Sequence, residues 1–145
     1  MTGAAVKSRT RHAVCRADEI PVGTAKRVEV GGRAIAIFNI DGEFSAISDR
    51  CPHEGASLCR GKIVGLVDAD EPGKCRVLRP GEFVRCPWHG WEFDLKTGRS
   101  WCDPARTRVK RFEVSVEEGA ALVEGPYRVD IFDVSLEDDY LVITI

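Results

Sequence analysis

Short runs of alternating polar and apolar residues open the chain. Residues 25–30, 33–40 and 44–48 predict three strands separated by glycine-containing turns. The turn Asp41-Gly42 is a strong signal for a two-residue hairpin. No stretch shows a long helical period. The pattern predicts an all-β protein, built as an antiparallel sandwich or barrel.

The same pattern continues in the second half of the chain. Residues 82–85, 109–116, 121–124, 129–134 and 140–145 predict further strands, with a turn at Glu117-Glu118-Gly119. The last two runs predict an extra C-terminal hairpin within residues 125–145. Residues 1–11 are basic and lack apolar periodicity, which predicts a flexible tail.

Length and charge narrow the function classes. The chain has 145 residues, enough for one domain and too few for a second catalytic one. A formal net charge of −2 predicts neither nucleic-acid binding nor a polybasic membrane patch. We see no transmembrane-length apolar run and no signal peptide, so the expected location is the cytoplasm.

Two short stretches carry the candidate chemistry. Cys51 and His53 form a C-x-H motif, and Cys86 and His89 form a C-x-x-H motif. Two thiols and two imidazoles suit zinc, or a binuclear iron–sulfur cluster in which histidines replace two cysteines. Zinc modules usually pair cysteine with cysteine and histidine with histidine, which favours the cluster and leaves zinc as the alternative.

The double motif resembles the Rieske [2Fe-2S] family. The resemblance includes Leu58 and the run from His89 to Gly98, and it covers roughly residues 41–104. It implies one [2Fe-2S] cluster, held in a small cluster-binding subdomain (residues 49–104) that is inserted in a single Rieske-type β domain of residues 1–145. It also implies that Cys51 and Cys86 bind the inner iron and that His53 and His89 bind the outer one.

Several neighbouring residues are expected to protect such a cluster. The predicted shielding residues are Leu58, Pro87, Trp88 and Trp91. Pro52 and Pro87 are also expected to stiffen the two loops, so that the ligands are held before the metal arrives.

The resemblance also favours a potential class. High-potential Rieske proteins carry a disulfide between the cluster loops and hydroxyl donors to the cluster. Here the corresponding positions are Ala56 and Trp88, and Trp91 and Phe93. With fewer donors to the sulfurs, the reduced form is less stabilised, which predicts a low potential.

Two further predictions concern residues 67–81 and the cysteines outside the motifs. Residues 67–81 are charged and carry prolines and glycines, so they read as an insertion, either a tolerated surface excursion or a docking element for one redox partner. The cysteines outside the motifs are expected to be reduced thiols, and a Cys59–Cys102 bridge stays open.

The function expected from these residues is electron transfer without catalysis. His12 is the only other histidine and is expected to be solvated, which leaves no set of two histidines for a catalytic mononuclear iron. No dinucleotide fingerprint is found. The leading hypothesis is a soluble carrier between a reductase and an oxygenase or related redox enzyme. The alternatives are a small subunit of a larger reductase, such as nitrite reductase, and a zinc or cluster-free binding module.

Overall fold

The fold is taken from a computed structural model of the chain. It describes residues 10–52, 55–71, 74–87, 90–100, 107–124, 128–129 and 137–145. Within these ranges, side chains are described except for residues 66–71, 74–80, 123–124 and 128–129.

Antiparallel strands dominate the described residues, which confirms the predicted all-β class. The strands are β1 (Arg11–Arg16), β2 (Ala25–Val30), β3 (Arg33–Ile40), β4 (Glu43–Ser48), β5 (Lys62–Glu71), β6 (Lys74–Arg85), β7 (Glu92–Asp94), β8 (Arg111–Glu118), β9 (Arg128–Val129) and β10 (Asp139–Thr144). One α-helix, α1 (Gly119–Glu124), and two 3-10 helices, Ala17–Glu19 and Leu58–Arg60, complete the described elements.

The chain divides into two compact units, and the larger one comprises residues 20–112. In it, β2, β3 and β4 form an antiparallel meander, and the first two residues of β8 pair with β4. The turn between β3 and β4 has positive φ at both Asp41 (51°) and Gly42 (90°), as a hairpin turn of the I′ type requires. The predicted hairpin is therefore confirmed.

A three-stranded antiparallel sheet of β5, β6 and β7 lies in the same unit. Within the predicted insertion at residues 67–81, residues 67–71 belong to β5 and residues 74–81 to β6, while residues 72–73 lie outside the described residues. The ladder pairs Asp68 with Arg76 and Glu71 with Lys74, with register shifts at two places.

Two hydrogen bonds hold the turn that follows β7. The Ser45 hydroxyl of β4 donates to the carbonyl oxygen of Leu95, in the turn that follows β7. The Leu95 amide donates to the Glu82 carbonyl oxygen at 2.9 Å. The turn after β7 is thereby fixed between β4 and β6.

The smaller unit comprises residues 1–19 and 113–145, of which the first nine lie outside the described residues. Its described strands are ordered β8-β10-β1-β9. Leu122 of α1 packs in a buried cluster with Ala13, Tyr140 and Val142.

Two sequence predictions in this unit are wrong. Glu117 and Glu118 continue β8, opposite Tyr140 and Asp139, and do not form a turn. Residues 121–124 belong to α1 and do not form a strand. Alanine and leucine are strong helix formers, and the helix buries Leu122 against the sheet.

The C-terminal pairing also differs from the predicted hairpin. Strand β9 runs parallel to β1, whereas β10 pairs with β1 on one side and β8 on the other. Both edges of β10 are therefore occupied, and β9 is not its hairpin partner. Residues 130–136 of the predicted run lie outside the described residues.

His12, which directly follows the predicted tail of residues 1–11, is buried. It lies in β1 and is only 8% exposed, so the predicted solvated histidine is wrong. Its Nε2 lies 3.1 Å from the Thr10 hydroxyl, while its Nδ1 has no hydrogen-bond partner. Both edges of β1 are paired, so His12 belongs to an internal strand of the sheet in this unit.

Candidate metal centre

The first cysteine loop is closed by two backbone hydrogen bonds. The Cys51 amide donates to the Ala56 carbonyl oxygen at 2.8 Å, and the Gly55 amide donates to the Cys51 carbonyl oxygen at 2.8 Å. Gly55 has φ of 83°, a left-handed conformation that glycine adopts without a steric penalty. The chain thus leaves Cys51, turns at Gly55 and returns to the Cys51 backbone.

The second cysteine loop repeats this arrangement. The Cys86 amide donates to the Trp91 carbonyl oxygen at 2.7 Å, and the Gly90 amide donates to the Cys86 carbonyl oxygen at 3.1 Å. Gly90 has φ of 71°. The two motifs therefore fold into loops with the same hydrogen-bond pattern, although one is C-x-H and the other C-x-x-H.

Both loops deliver their cysteine to one hydrophobic core. Cys51 is 1% exposed and Cys86 is 3% exposed, and both belong to the buried cluster that contains Leu58 and Phe93. Neither thiol is in a disulfide. Two buried, unbridged thiols on matching loops form a soft donor pair of the kind that iron–sulfur clusters use.

Gly61, which follows the first cysteine loop, packs closely against Arg85, the residue before the second cysteine. It caps the 3-10 helix Leu58–Arg60, and a Cβ added to it would collide with the backbone carbonyl group of Arg85. The next residue, Lys62, pairs with Arg85 in the β5–β6 ladder. Only a residue without a side chain permits this approach, immediately before Cys86.

Asp49 accepts hydrogen bonds from the residues that follow the first cysteine loop. Its carboxylate accepts a hydrogen bond from the Ser57 hydroxyl at 2.7 Å and one from the Cys59 amide at 2.8 Å. Its carbonyl oxygen accepts from the Leu58 amide at 2.7 Å. The Nε of Arg27 lies 3.3 Å from the same carboxylate.

An arginine precedes each cysteine. The guanidinium of Arg50 lies beside Gly55, where an added Cβ would be 3.1 Å from its Nε. Arg85 forms an ion pair with Glu92 at 3.4 Å, at the start of β7. Both cysteine loops are therefore bordered by a cationic side chain.

The environment of Cys59 opposes its ionisation. Burial, followed by the negative charge of Asp49, raises the pKa of the Cys59 thiol above its ordinary value, while Arg27 and Arg60 act in the lowering direction. The thiol is therefore kept in its neutral form at neutral pH.

The structure describes about half of the residues that the sequence singled out. It places Cys51, Cys86 and Leu58 in one core cluster, with Trp91 partly buried against it. Pro52 and Pro87 are exposed in turns. The shielding and stiffening roles expected of them stay predictions.

The other predicted ligands and neighbours, His53, His89, Trp88 and Cys102, lie outside the described residues. Within the described part of the chain, no three His, Cys, Asp or Glu residues are grouped as a metal site. No helix in that part is long and apolar enough to span a bilayer.

Sequence reasoning missed Asp49 and Gly61. An Asp two residues before the first ligand, with a Ser eight residues later, offers a weak signal for a loop-closing hydrogen bond. Gly61 has an ordinary φ of −74°, so no turn pattern marks it. Its role depends on a contact with a distant segment.

Comparison with known proteins decides between the metal alternatives. Residues 10–113 match the family model of the Rieske [2Fe-2S] domain. The chain belongs to the Rieske family. It is 37% identical over 106 residues to the 3-phenylpropionate/cinnamic acid dioxygenase ferredoxin subunit of Photorhabdus laumondii, which covers 73% of this chain and 86% of that protein. A Rieske domain carries one [2Fe-2S] cluster, which agrees with the paired buried thiols of its two loops.

Solved structures share the fold. One chain in the complex of reduced oxygenase and oxidized ferredoxin of carbazole 1,9a-dioxygenase matches with a TM-score of 0.58 and 26% identity, covering 89% of this chain and 98% of that one. An NADH-dependent nitrite reductase small subunit homologue from Mycobacterium tuberculosis matches with a TM-score of 0.62 over 96% of this chain and 97% of that one. Its identity is 20%, so this second likeness concerns the fold alone.

Proposed function

We propose that this Rieske protein is a ferredoxin that accepts single electrons from a reductase and passes them to an oxygenase or a related redox enzyme. The observation that carries the proposal is the pair of matching loops that bury Cys51 and Cys86 in one core. The names of the relatives support it, since one is a dioxygenase ferredoxin subunit and one structure is an oxygenase–ferredoxin complex.

The proposed ligands are Cys51 and Cys86 for the inner iron and His53 and His89 for the outer iron. Thiolates bind ferric iron strongly, and neutral imidazoles add no charge. When bound, the cluster supplies a site for reversible one-electron transfer. The chain's own residues hold the ligand loops by the hydrogen bonds of Gly55 and Gly90 and exclude water from the two sulfur atoms.

The ligand set is tested by replacing His53 or His89 with Ala. Either change should abolish the visible absorption and the electron paramagnetic resonance spectrum of the Rieske cluster. His12→Ala is the matched control, because His12 is a histidine of the other compact unit and should leave both spectra intact. Native spectra in H53A or H89A would exclude these ligands, and a colourless protein without labile sulfide would favour zinc or a cluster-free module.

The carrier role is tested by electron transfer between separate components. Purified protein should be reduced by a ferredoxin reductase and reoxidised by an oxygenase in rapid-mixing experiments. Isolation only as a fixed stoichiometric complex with a reductase would instead support the subunit hypothesis. The likeness to the nitrite reductase small subunit does not favour that alternative, because it concerns the fold alone.

The proposal includes a low potential and a cytoplasmic location. Ala56 and Phe93 occupy positions where high-potential relatives carry a disulfide cysteine and a hydroxyl, and both are buried in the core cluster. Ala56 therefore cannot form the disulfide, and Phe93 cannot supply the hydroxyl donor. The described cysteines Cys15, Cys51, Cys59 and Cys86 are unbridged, as expected in a reducing compartment.

A further inference from the structure

A buried carboxylate stands at the base of the first cysteine loop. Asp49 is two residues from Cys51, and its side chain is only 6% exposed. Both of its carboxylate oxygens are occupied, Oδ2 by the Ser57 hydroxyl and Oδ1 by the Cys59 amide. Carboxylates are rarely buried without a structural or electrostatic role.

The backbone of Asp49 connects the loop with the meander. Its amide donates to the Ala34 carbonyl oxygen of β3 at 3.0 Å, and its carbonyl oxygen accepts from the Leu58 amide. Together with the carboxylate bonds, one residue therefore holds residues 57–59, the segment at which the loop ends. The loop of Cys51 is closed on this residue.

The counter-ion of Asp49 is less buried than the carboxylate itself. The Arg27 side chain is 47% exposed, whereas that of Asp49 is 6% exposed. Water and salt screen the arginine more than the carboxylate, so the negative charge has the stronger field in the protein interior. The two charges already act in opposite directions on Cys59, whose pKa Asp49 raises and Arg27 lowers.

We propose that Asp49 is a positioning residue for the first ligand loop, and that the Asp49–Arg27 ion pair tunes the reduction potential of the site. The inference rests on the proposed ligand Cys51. One-electron reduction adds a negative charge to the site. A fixed negative charge nearby opposes this addition, and a fixed positive charge favours it. The two partners therefore shift the potential in opposite directions.

The test compares the midpoint potentials of the native holoprotein, Asp49→Asn, Arg27→Gln and the double variant. Asparagine preserves the size of the side chain and can still bond to Ser57 and Cys59, so D49N isolates the charge. We expect D49N to shift the redox equilibrium about tenfold toward the reduced form, or about 59 mV upward. R27Q should shift it downward by less, and the double variant should lie between the two.

Asp94→Asn provides a matched control. Asp94 is also buried, at 9% exposure, and its carboxylate accepts from the Lys96 amide at 2.8 Å in the turn after β7. This hydrogen bond lies in the turn after β7, whereas those of Asp49 hold the residues that end the Cys51 loop. If the effect of Asp49 comes from its place in that loop, D94N should change the potential much less than D49N.

Loop positioning has its own readout. Ser57→Ala removes one hydrogen bond to Asp49 without changing any charge. It should accelerate loss of cluster absorbance in the presence of a chelator and leave the potential unchanged.

Three results would overturn the inference. The first is that D49N and R27Q leave the potential unchanged or shift it in the same direction. The second is that D94N shifts the potential as much as D49N does. The third is that S57A retains the cluster as well as the native protein does. If D49N does not fold, the downward shift of the exposed R27Q variant decides the electrostatic part. A native protein without a [2Fe-2S] spectrum would instead refute the proposed function, so the two failures are distinguishable.

Discussion

A single methyl group at Gly61 tests how the two cysteine loops are held together. A Cβ there would lie 3.1 Å from the carbonyl carbon of Arg85 and 3.1 Å from the Leu58 carbonyl oxygen, and closer still to the Arg85 carbonyl oxygen. The φ of Gly61 is −74°, so alanine meets no left-handed strain. The effect of Gly61→Ala on the folded state is therefore steric.

The expected cost follows from these distances. The carbonyl carbon alone must retreat by about 0.4 Å to reach the preferred carbon–carbon separation of about 3.5–4.0 Å. The Arg85 carbonyl oxygen is closer still, so it sets the larger displacement that the carbonyl group must make. Overpacking of this kind costs about 1–3 kcal/mol. Alanine also lowers the conformational entropy of the unfolded chain, which stabilises the folded state by about 0.4–1 kcal/mol and offsets part of this cost. We expect a net loss of about 1–2 kcal/mol in the free energy of unfolding.

The displacement should also reach the cluster, because Arg85 directly precedes Cys86. Chemical denaturation measures the stability of Gly61→Ala, and the decay of visible absorbance under a chelator measures cluster retention. Gly42→Ala is the control. Its φ of 90° imposes left-handed strain of about 1–2 kcal/mol, but nothing lies within 4 Å of the added Cβ.

Gly42→Ala should lower the stability and leave the rate of cluster loss at its native value. Gly61→Ala should lower the stability and also accelerate cluster loss. Native stability and native cluster retention in Gly61→Ala would refute the reasoning. Equal acceleration of cluster loss in the two variants would show that general destabilisation, and not the Arg85 contact, is responsible.

Three further predictions concern the potential, the hairpin and the alkaline stability. The midpoint potential of the native protein should lie below zero, in the lower part of the Rieske range of about −150 to +300 mV, and a redox titration well above zero would contradict the proposed class. Replacing residues 67–77 by a two-residue turn that joins Leu66 to its ladder partner Leu78 should preserve the cluster spectrum and the rate of electron transfer, because the strand pairing described for these residues is with each other. A slower rate with the native partner would assign the hairpin to docking. Burial and Asp49 raise the pKa of Cys59, so the unfolded chain ionises first and the free energy of unfolding should fall as pH rises from the ordinary thiol pKa toward the raised one. Cys59→Ser should remove that part of the fall in denaturation curves at stepped alkaline pH, and an unchanged fall would show that other groups cause it.

Local sequence signals determined the elements whose stabilising contacts are close in the chain. The strands β2, β3 and β4 were predicted almost to the residue, because each pairs with its neighbour through a short turn and Asp41-Gly42 suits that turn. The cysteine loops could also be predicted from the sequence, since each is closed by hydrogen bonds within six residues. The first loop contains Gly55 and the second Gly90, both with positive φ.

Tertiary structure alone decided the elements whose partners are distant. Residues 119–124 form a helix in which Leu122 is buried against Ala13, Tyr140 and Val142. The helix propensity of six residues is too weak a signal to predict that outcome without the tertiary contact. His12 likewise belongs to a strand whose partners on both sides come from the distant C-terminal segment.

The site shows the same division. The sequence by itself determined which residues are proposed as cluster ligands, because the ligand types and their spacing form two contiguous motifs. The support of these loops was decided by contacts between segments, in which the Asp49 carboxylate meets Arg27 of β2 and Gly61 meets the carbonyl group of Arg85. Such contacts depend on the path of the folded chain. The residues next to a carboxylate, or to a glycine with ordinary φ, do not indicate which distant residue it will contact.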